Sequence, residues 1–210
     1  LHHVESMPLR TALGRVLAEE VAAPFDVPAH RNSGRDGYAL SATELEHKSG
    51  LISLALIGVS WAGKPFEGTV GASECVRIMT GAAMPDGTDV VVMQEHVNAA
   101  NDTVSFNADA PTSGHVRHAG EDLRAGEAVL LPGKLLRPAD IGVLASMGLA
   151  EVRVFRQVRV AFFSTGDELC TVGEVPRPGD IFDSNRYCLH GMLTRLGVQL
   201  IDLGVVRDTR

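Results

Sequence analysis

Carboxylates stand beside threonine, serine and glycine at two places in this sequence, and both combinations suit the binding of phosphate-like anions. The first place joins residues 32–39 (NSGRDGYA) with residues 77–82 (RIMTGA). Asp36 would present a carboxylate at a turn, although Asp-Gly is also typical of an ordinary tight turn. Thr80 at a strand end would offer its hydroxyl and adjacent backbone N–H groups to an oxyanion, although the same residues suit a plain hairpin.

The second place joins residues 164–169 (STGDEL) with residues 178–185 (PGDIFDSN). In open α/β sheets, ligands bind beyond the carboxyl ends of strands, where this Thr-Gly turn and its acids are predicted to lie. Residues 183–185 open the next helix, whose first backbone N–H groups suit a phosphate. Glu168 and Asp183 together suit Mg²⁺, which takes oxygen ligands and usually bridges substrate phosphates. A purely structural capping role for Asp183 or Ser184 is the alternative.

A third segment, residues 115–122 (HVRHAGED), mixes imidazoles with charges of both signs. Arg117 is a candidate anion clamp because a guanidinium matches the geometry of phosphate-like oxyanions, and a solvated loop is the alternative. The remaining histidines lack the spacing of a metal site. The three cysteines show neither close pairing nor metal-type spacing, which fits ordinary side chains in a reducing cytosol.

The composition is that of a soluble globular protein. Of 210 residues, 45% are hydrophobic and 21% are charged, which is ordinary for that class. No apolar run approaches the roughly 18 residues of a membrane span, and no signal peptide is visible. The net charge of −7 argues against non-specific nucleic-acid binding, so an anionic ligand must be held by local donors.

The elements that must position these residues are mostly short. Apolar residues at helical spacing predict a helix over residues 8–21, and two prolines predict an extended segment over residues 23–30. Short apolar runs between Gly-, Pro- and Asn-rich turns predict a small antiparallel β domain over residues 51–110. A second glycine-rich β stretch follows at residues 120–133.

The last third of the chain has a different pattern. A short helix is predicted to open at Arg137 and end at Gly148, and a strand region to begin at Val152. Residues 158–163 suit a strand covered on both faces. A helix over residues 185–196, with Ser184 as a plausible cap and with Leu189, Met192, Leu193 and Leu196 facing inward, and a strand over residues 198–206 would complete a right-handed β-α-β unit.

This β-α-β unit is incomplete. Two parallel strands and one helix cannot bury both faces of a sheet. The sequence stops at Arg210, where the next helix would begin. We therefore expect either a fragment of a longer protein or a domain that is completed by something else.

Six strings in order across nearly the whole chain resemble the MoeA/gephyrin E-domain family of molybdopterin molybdenumtransferases, in its N-terminal half. The strings are NS with DGYA (residues 32–39), RIMTGA (77–82), VVMQE (91–95), GED (120–122), STGDEL (164–169) and PGDIFDSN (178–185). One departure concerns the segment before Asp36: the family string usually reads SAMDGYA, whereas this chain has Gly34 and Arg35. Arg35 would place a cation beside Asp36, where it could pair with the carboxylate.

The resemblance implies an α+β multi-domain fold. Its parts are a linker region of helix and extended segments at residues 1–31 and 119–151, an inserted antiparallel β domain at residues 32–118, and a truncated N-terminal part of a three-layer MoaB/Mog-like α/β domain at residues 152–210. A homodimer is also implied, with each site between the β domain of one subunit and the α/β domain of the other.

The implied reaction inserts molybdenum from molybdate into adenylylated molybdopterin with Mg²⁺, and it releases AMP in the cytoplasm. Implied partners are a second copy of the chain, a MogA-type adenylyltransferase and molybdoenzyme-maturation proteins, with no nucleic acid and no membrane. By position, the implied catalytic residues are Asp36, Thr80 and Glu168. The implied substrate contacts are Arg117, Ser164, Thr165, Gly166, Asp167, Asp183, Ser184 and Asn185, and the metal ligands are Glu168 and Asp183.

Two other functions remain open from the residues. A non-catalytic scaffold or binding fragment of a gephyrin-like protein is the first, since such relatives also bind protein partners. A nucleotide-sugar or pyrophosphatase-like hydrolase with a shared α/β unit is the second, but it would not account for the strings in the β domain. The 210-residue piece alone is expected to lack turnover.

Overall fold

A computed structural model describes residues 3–46 and 48–207. Within these residues the chain forms sixteen strands and two α-helices, with short 3₁₀ turns between them. The strands are β1 (Val4–Pro8), β2 (Val21–Ala22), β3 (Asn32–Ser33), β4 (Gly37–Leu40), β5 (Leu51–Ser60), β6 (Glu74–Ile78), β7 (Val90–Met93), β8 (Val97–Ala100), β9 (Thr103–Asn107), β10 (Val116–Arg117), β11 (Ala128–Leu130), β12 (Glu151–Phe155), β13 (Arg159–Thr165), β14 (Leu169–Cys170), β15 (Ile181–Phe182) and β16 (Gln199–Val206). The helices are α1 (Pro138–Ser146) and α2 (Ser184–Arg195).

The chain divides into two compact units. One comprises Val21–Val129, and the other comprises Leu1–Glu20 with Leu130–Arg210. None of the helices in the described part of the chain is long and apolar enough to cross a membrane. Mostly β structure with two helices agrees with the α+β class predicted from the sequence.

A six-stranded sheet forms the body of the unit Val21–Val129. Its strand order is β7-β4-β6-β5-β9-β8. Four neighbouring pairs are antiparallel, but β5 and β6 run parallel, so the prediction of a purely antiparallel sheet was wrong at this pair. The long connection between Ser60 and Glu74 allows the parallel pairing, because a parallel neighbour needs a crossover rather than a tight turn.

Alternation along β5 builds the core of this sheet. Ile52 and Leu54 are buried, whereas Leu51 faces outward, as expected of a strand with one covered face. Across the ladder, Ile52 lies opposite Phe106, and both belong to one buried cluster with residues of β4 and β6. The strands predicted within residues 51–110 are therefore present, and their buried apolar side chains form one cluster.

The predicted helix over residues 8–21 was wrong. Val4–Pro8 is a strand that pairs antiparallel with β12, and only Leu9–Thr11 forms a 3₁₀ turn. Further along, the Leu17 N–H donates to Lys134 O at 2.8 Å, and Val16 O accepts from Phe155 N at 2.8 Å. The apolar spacing that suggested a helix instead places Leu9 and Leu17 in a core, because long-range strand pairing takes the backbone bonds that a helix would need.

The helix α1 and the strand β12 match their predictions. Pro138 occupies the first turn, and the Arg137 N–H donates to Asp140 Oδ2 at 2.8 Å. This bond satisfies one of the free N–H groups at the helix start. The helix ends just before Gly148, and the chain then enters β12.

The predicted β-α-β unit is present. The strands β13 and β16 pair in parallel, and α2 lies between them in the chain. The helix cap is Asp183 rather than Ser184, because Asp183 Oδ1 accepts the Arg186 N–H at 3.2 Å. The start of a further helix was predicted at the chain end, and residues 208–210 lie outside the described part.

Two burial predictions for this unit were wrong. The face of α2 expected to point inward is open, with Leu189 44%, Met192 64% and Leu196 73% exposed, and Leu193 is only half-buried. In β13, Phe162 is buried but Phe163 is exposed. Only one face of the strand is therefore covered by the described residues, since two strands and one helix cannot cover a sheet on both sides.

Candidate functional site

Asp36 and Thr80 meet at one end of the six-stranded sheet. The backbone N–H and the hydroxyl of Thr80 both donate to Asp36 Oδ1, at 2.7 and 2.8 Å. The pKa of the Asp36 carboxyl is lowered most by the backbone bond from Thr80, next by the hydroxyl bond, and least by the charge of Arg77. All three stabilise the ionised form of the carboxyl. Asp36 is thus an exposed carboxylate that is charged at neutral pH.

The backbone on both sides of Asp36 fixes its position. Asp36 O accepts the Gln94 N–H at 3.1 Å. The next residue, Gly37, lies between β6 and β7, and a Cβ at Gly37 would come within 2.2 Å of Val92 O. Only glycine allows this close approach of two backbones, so the sequence Asp-Gly serves sheet packing as well as presenting the carboxylate.

The segment before Asp36 forms a small hydrogen-bonded loop. Ser33 Oγ donates to Arg35 O at 2.5 Å and accepts the Arg35 N–H at 3.2 Å. Arg35 makes no ion pair with Asp36 among the residues that the structure describes. The pairing anticipated from the sequence is therefore absent, and the carboxylate is not neutralised by its neighbour.

The loop and the Thr80 turn are tied to each other by the backbone. The Gly81 N–H donates to Ser33 O at 2.8 Å, and the Ser33 N–H donates to Ala82 O at 3.0 Å. The contact between Asp36 and Thr80 is thus supported by main-chain bonds beneath it. These main-chain bonds hold the loop and the turn together, so the position of the two side chains does not depend on their mutual contact alone.

Arg117 lies on the strand that flanks this loop. The strand β10 pairs with β3, so that Arg117 stands opposite Asn32. The guanidinium donates to Asp122 Oδ1 at 2.6 Å and lies 3.5 Å from Glu121 Oε1. The hydrogen bond and charge of Asp122, followed by those of Glu121, raise the pKa of Arg117. An anion bound by Arg117 would have to compete with these two carboxylates.

The second candidate region lies in the unit that contains residues 130–210, at the end of β13. Gly166 adopts a φ of +144°, and a Cβ there would lie 2.6 Å from Glu168 Oε2. The carboxylate of Glu168 is therefore folded back over the Gly166 backbone. Ser164 is half-buried, whereas Thr165, Asp167 and Glu168 are exposed.

Asp183 begins α2 and is nearly inaccessible, with 3% of its surface exposed. Its N–H donates to Cys170 O at 3.1 Å, and its Oδ1 caps the helix as described above. Its other oxygen, Oδ2, is buried and has no hydrogen-bond partner in the described part of the chain. Ser184 and Asn185, the first two residues of the helix, are exposed.

In the part of the chain that the structure describes, no protein-only metal cluster accompanies these acids. Within residues 3–46 and 48–207, no group of three or more His, Cys, Asp or Glu side chains is arranged to hold a metal ion. Glu168 and Asp183 are not part of such a group. Any metal bound here would need further ligands from a substrate or from water.

Arg207 is a site-adjacent residue that sequence reasoning missed. It follows β16 directly, and its Nη1 donates to Asp167 O at 2.7 Å and to Gly166 O at 3.4 Å. It also lines a cavity of about 360 Å³ next to the turn. The available signal was its place after a parallel strand, because parallel neighbours end at the same edge of a sheet.

Comparison with known proteins gives consistent matches. The family model described as MoeA N-terminal region (domain I and II) matches residues 1–148. The chain is 40% identical over 205 residues to a molybdopterin molybdenumtransferase of Haemophilus influenzae, covering 97% of this chain and 50% of that protein. It is 37% identical over 207 residues to a molybdopterin molybdenumtransferase of Nostoc sp., covering 97% of this chain and 47% of that protein.

A solved structure agrees with the sequence matches. The molybdopterin biosynthesis MoeA protein of Pyrococcus horikoshii OT3 superposes with a TM-score of 0.89 at 30% identity, covering 100% of this chain and 56% of that one. The chain thus spans about half the length of the curated relatives it matches.

Proposed function

The chain belongs to the family of MoeA N-terminal regions, and on that premise we propose that the protein containing it is a molybdopterin molybdenumtransferase. Its reaction would insert molybdenum from molybdate into adenylylated molybdopterin and release AMP. The observation that carries the proposal is the contact of Asp36 with Thr80. Both residues belong to strings that resemble the family, and they come together from distant parts of the chain. Because the chain spans half of its relatives, turnover is assigned to the complete protein and not to these 210 residues alone.

Asp36 is proposed to orient a reactant and not to act as a strong base. Its lowered pKa makes it a weak proton acceptor at neutral pH, since a general base works best with a pKa near the working pH. Its Oδ1 is occupied by Thr80, while Oδ2 has no protein donor among residues 3–46 and 48–207. We assign to Oδ2 a hydrogen bond from a substrate N–H or O–H group.

The turn of residues 164–168 and the start of α2 are proposed to bind the phosphate side of the substrate. Support comes from the parallel pairing of β13 with β16, since ligands bind beyond the carboxyl ends of such strands. The exposed Ser184 and Asn185 stand at a helix N-terminus, where backbone N–H groups favour an anion. Arg117 is proposed as a further anion contact. To bind the anion, Arg117 would have to give up its contacts with Asp122 and Glu121.

Mg²⁺ is proposed to be held by Glu168 and Asp183 together with substrate phosphate oxygens and water. This ion usually needs only one or two protein carboxylates when phosphates complete its shell. Glu168 is exposed, and Asp183 Oδ2 has no hydrogen-bond partner among the described residues. Because Asp183 Oδ2 is buried, the turn before α2 would have to open for the ion to reach it. When bound, the ion would stabilise charge on the leaving phosphate.

The proposed protein partners follow the family. We propose a homodimer in the cytoplasm in which Asp36 and Thr80 of one subunit and Glu168 of the other serve one site. A MogA-type adenylyltransferase would supply the adenylylated substrate, and molybdoenzyme-maturation proteins would receive the product. The net charge of −7 supports the absence of a nucleic-acid partner.

AMP release by the full-length protein tests this function. With adenylylated molybdopterin, molybdate and Mg²⁺, Asp36→Ala is expected to lower kcat by about 100-fold or more, because it removes a positioned charge. Asp109→Ala, which removes an exposed acid beyond the end of β9, is the matched control and should retain kcat. A wild-type protein that releases no AMP, or an Asp36→Ala variant with unchanged kcat, contradicts the proposal.

A further inference from the structure

The carboxyl ends of β13 and β16 are joined by two kinds of bond. Thr165 lies opposite Val206 in the parallel ladder, and the Gly166 N–H donates to Val206 O at 3.4 Å. One residue later, Arg207 Nη1 reaches back to two consecutive carbonyls of the other strand's turn, those of Gly166 and Asp167. The guanidinium thus extends the ladder beyond the point where the strands end.

The turn that Arg207 holds is one that few residues can adopt. Gly166 has a φ of +144°, a conformation that other residues rarely adopt. The Glu168 carboxylate lies so close to the Gly166 backbone that a Cβ there would touch it at 2.6 Å. The direction of Glu168 therefore depends on the conformation at Gly166 and Asp167, whose carbonyls are the acceptors of Arg207. A charged donor makes stronger bonds to such carbonyls than a neutral one.

An anion-binding role for Arg207 is less favoured by the charges around it. The cavity of about 360 Å³ contains Arg207 and Arg177, but also Asp167, Glu174 and Asp180. Arg177 is already bonded to Asp180, with Nε to Oδ2 at 3.1 Å. The three acids of this lining outnumber its two cations, so the surroundings of Arg207 do not favour a bound anion.

We propose that Arg207 is a positioning residue that fixes the turn of residues 165–168 and thereby aims the carboxylate of Glu168 at the substrate. This inference rests on the proposed function, in which Glu168 takes part in the reaction. The contacts of Arg207 with the turn are hydrogen bonds to the carbonyls of Gly166 and Asp167, and the backbone that they hold leads directly into Glu168.

A double-mutant cycle in the full-length protein tests this role. The variants are Arg207→Met, Glu168→Gln and their combination, with kcat and KM measured for AMP release under single-turnover and steady-state conditions. Arg207→Met is expected to lower kcat by about 100-fold, the order of loss that a misplaced group causes, with KM within about 3-fold of wild type. In the Glu168→Gln background the same change should cost less than about 2-fold, because the two residues act as a unit.

Two further variants separate positioning from folding. Arg207→Lys keeps a charged donor for one carbonyl and should recover about 10-fold of the kcat that Arg207→Met loses, as a charge-assisted bond is restored. Arg177→Met changes the same cavity but leaves both bonds from Arg207 to the turn in place, and it should keep the wild-type kcat. Thermal melts of all variants report whether each is folded.

The outcomes are distinct. An equal loss from Arg207→Met in the wild-type and Glu168→Gln backgrounds overturns the positioning role. If Arg207→Met does not fold, Arg207→Lys is compared with Arg207→Gln, and equal kcat values in those two variants also overturn it. A Glu168→Gln variant with full kcat instead refutes the proposed site itself, whatever Arg207 does.

Discussion

The two candidate regions of this chain are held in different ways. The Asp36 carboxylate is bonded to the Thr80 turn, and the Asp36 backbone is bonded to Gln94. Both contacts lie at one end of a six-stranded sheet with a buried core. Around Glu168, the turn stands at the end of a two-stranded pairing and is tied by Arg207. The difference shows that a polar group can be fixed either by a complete sheet beneath it or by one long side chain reaching over from the next strand.

The largest expected contrast is in the free energy of unfolding, between a buried residue of the six-stranded sheet and an exposed residue of α2. Phe106→Ala should lower the free energy of unfolding by about 4 kcal/mol, because a fully buried ring is removed and a cavity remains. Leu196→Ala removes a side chain that is 73% exposed and should change it by less than about 0.5 kcal/mol. Urea denaturation of both variants measures the difference. A loss at Leu196 as large as at Phe106 would show that the α2 face is covered in solution, which would remove the contrast.

The two glycines give the next contrast. At Gly37 a new Cβ meets the backbone oxygen of Val92 at 2.2 Å, whereas at Gly166 it meets only the end of the Glu168 side chain. Gly37→Ala should therefore cost about 3 kcal/mol, the upper range of overpacking, and Gly166→Ala about 1 kcal/mol from backbone strain. Chemical denaturation measures both costs. The reverse order would mean that the turn at Gly166 is the more rigid of the two.

The sequence predicted the elements better than their partners. Short apolar runs between Gly-, Pro- and Asn-rich turns correctly indicated β5 and β9. Reasoning from apolar spacing failed at residues 8–21, because Val16 and Leu17 bond to segments far along the chain and no local pattern reports such pairing. The parallel course of β5 beside β6 was missed for the same reason.

The site shows the same division. Residue types and family strings singled out Asp36 and Thr80, but their contact spans 44 positions and needed the sheet to bring them together. The bond from Arg207 to Asp167 spans 40 positions and involves only a backbone acceptor. A backbone acceptor leaves no trace in residue type, so sequence reasoning had no means of finding this partner.

The smallest expected effect concerns the ionisation of Asp36, and it tests whether Thr80 holds that carboxylate as closely as the bonds indicate. Because its pKa in the folded protein lies below the ordinary value of 3.8, its bonds stabilise the fold above that pH. The contribution is lost as the pH falls through the lowered pKa. A carboxyl-resolved NMR titration from pH 7 to about pH 2 spans that window.

Thr80→Val removes the hydroxyl bond but keeps the backbone one, so the pKa of Asp36 should rise part of the way towards its ordinary value. Arg77→Met removes only the weakest of the lowering causes, and it should produce a smaller rise. Because Asp36 is exposed, water screens the charge of Arg77 more than it weakens a direct hydrogen bond. A larger rise from Arg77→Met than from Thr80→Val would mean that charge, and not the Thr80 turn, governs this carboxylate. The region around Asp36 would then be tuned by long side chains, as the Glu168 turn is.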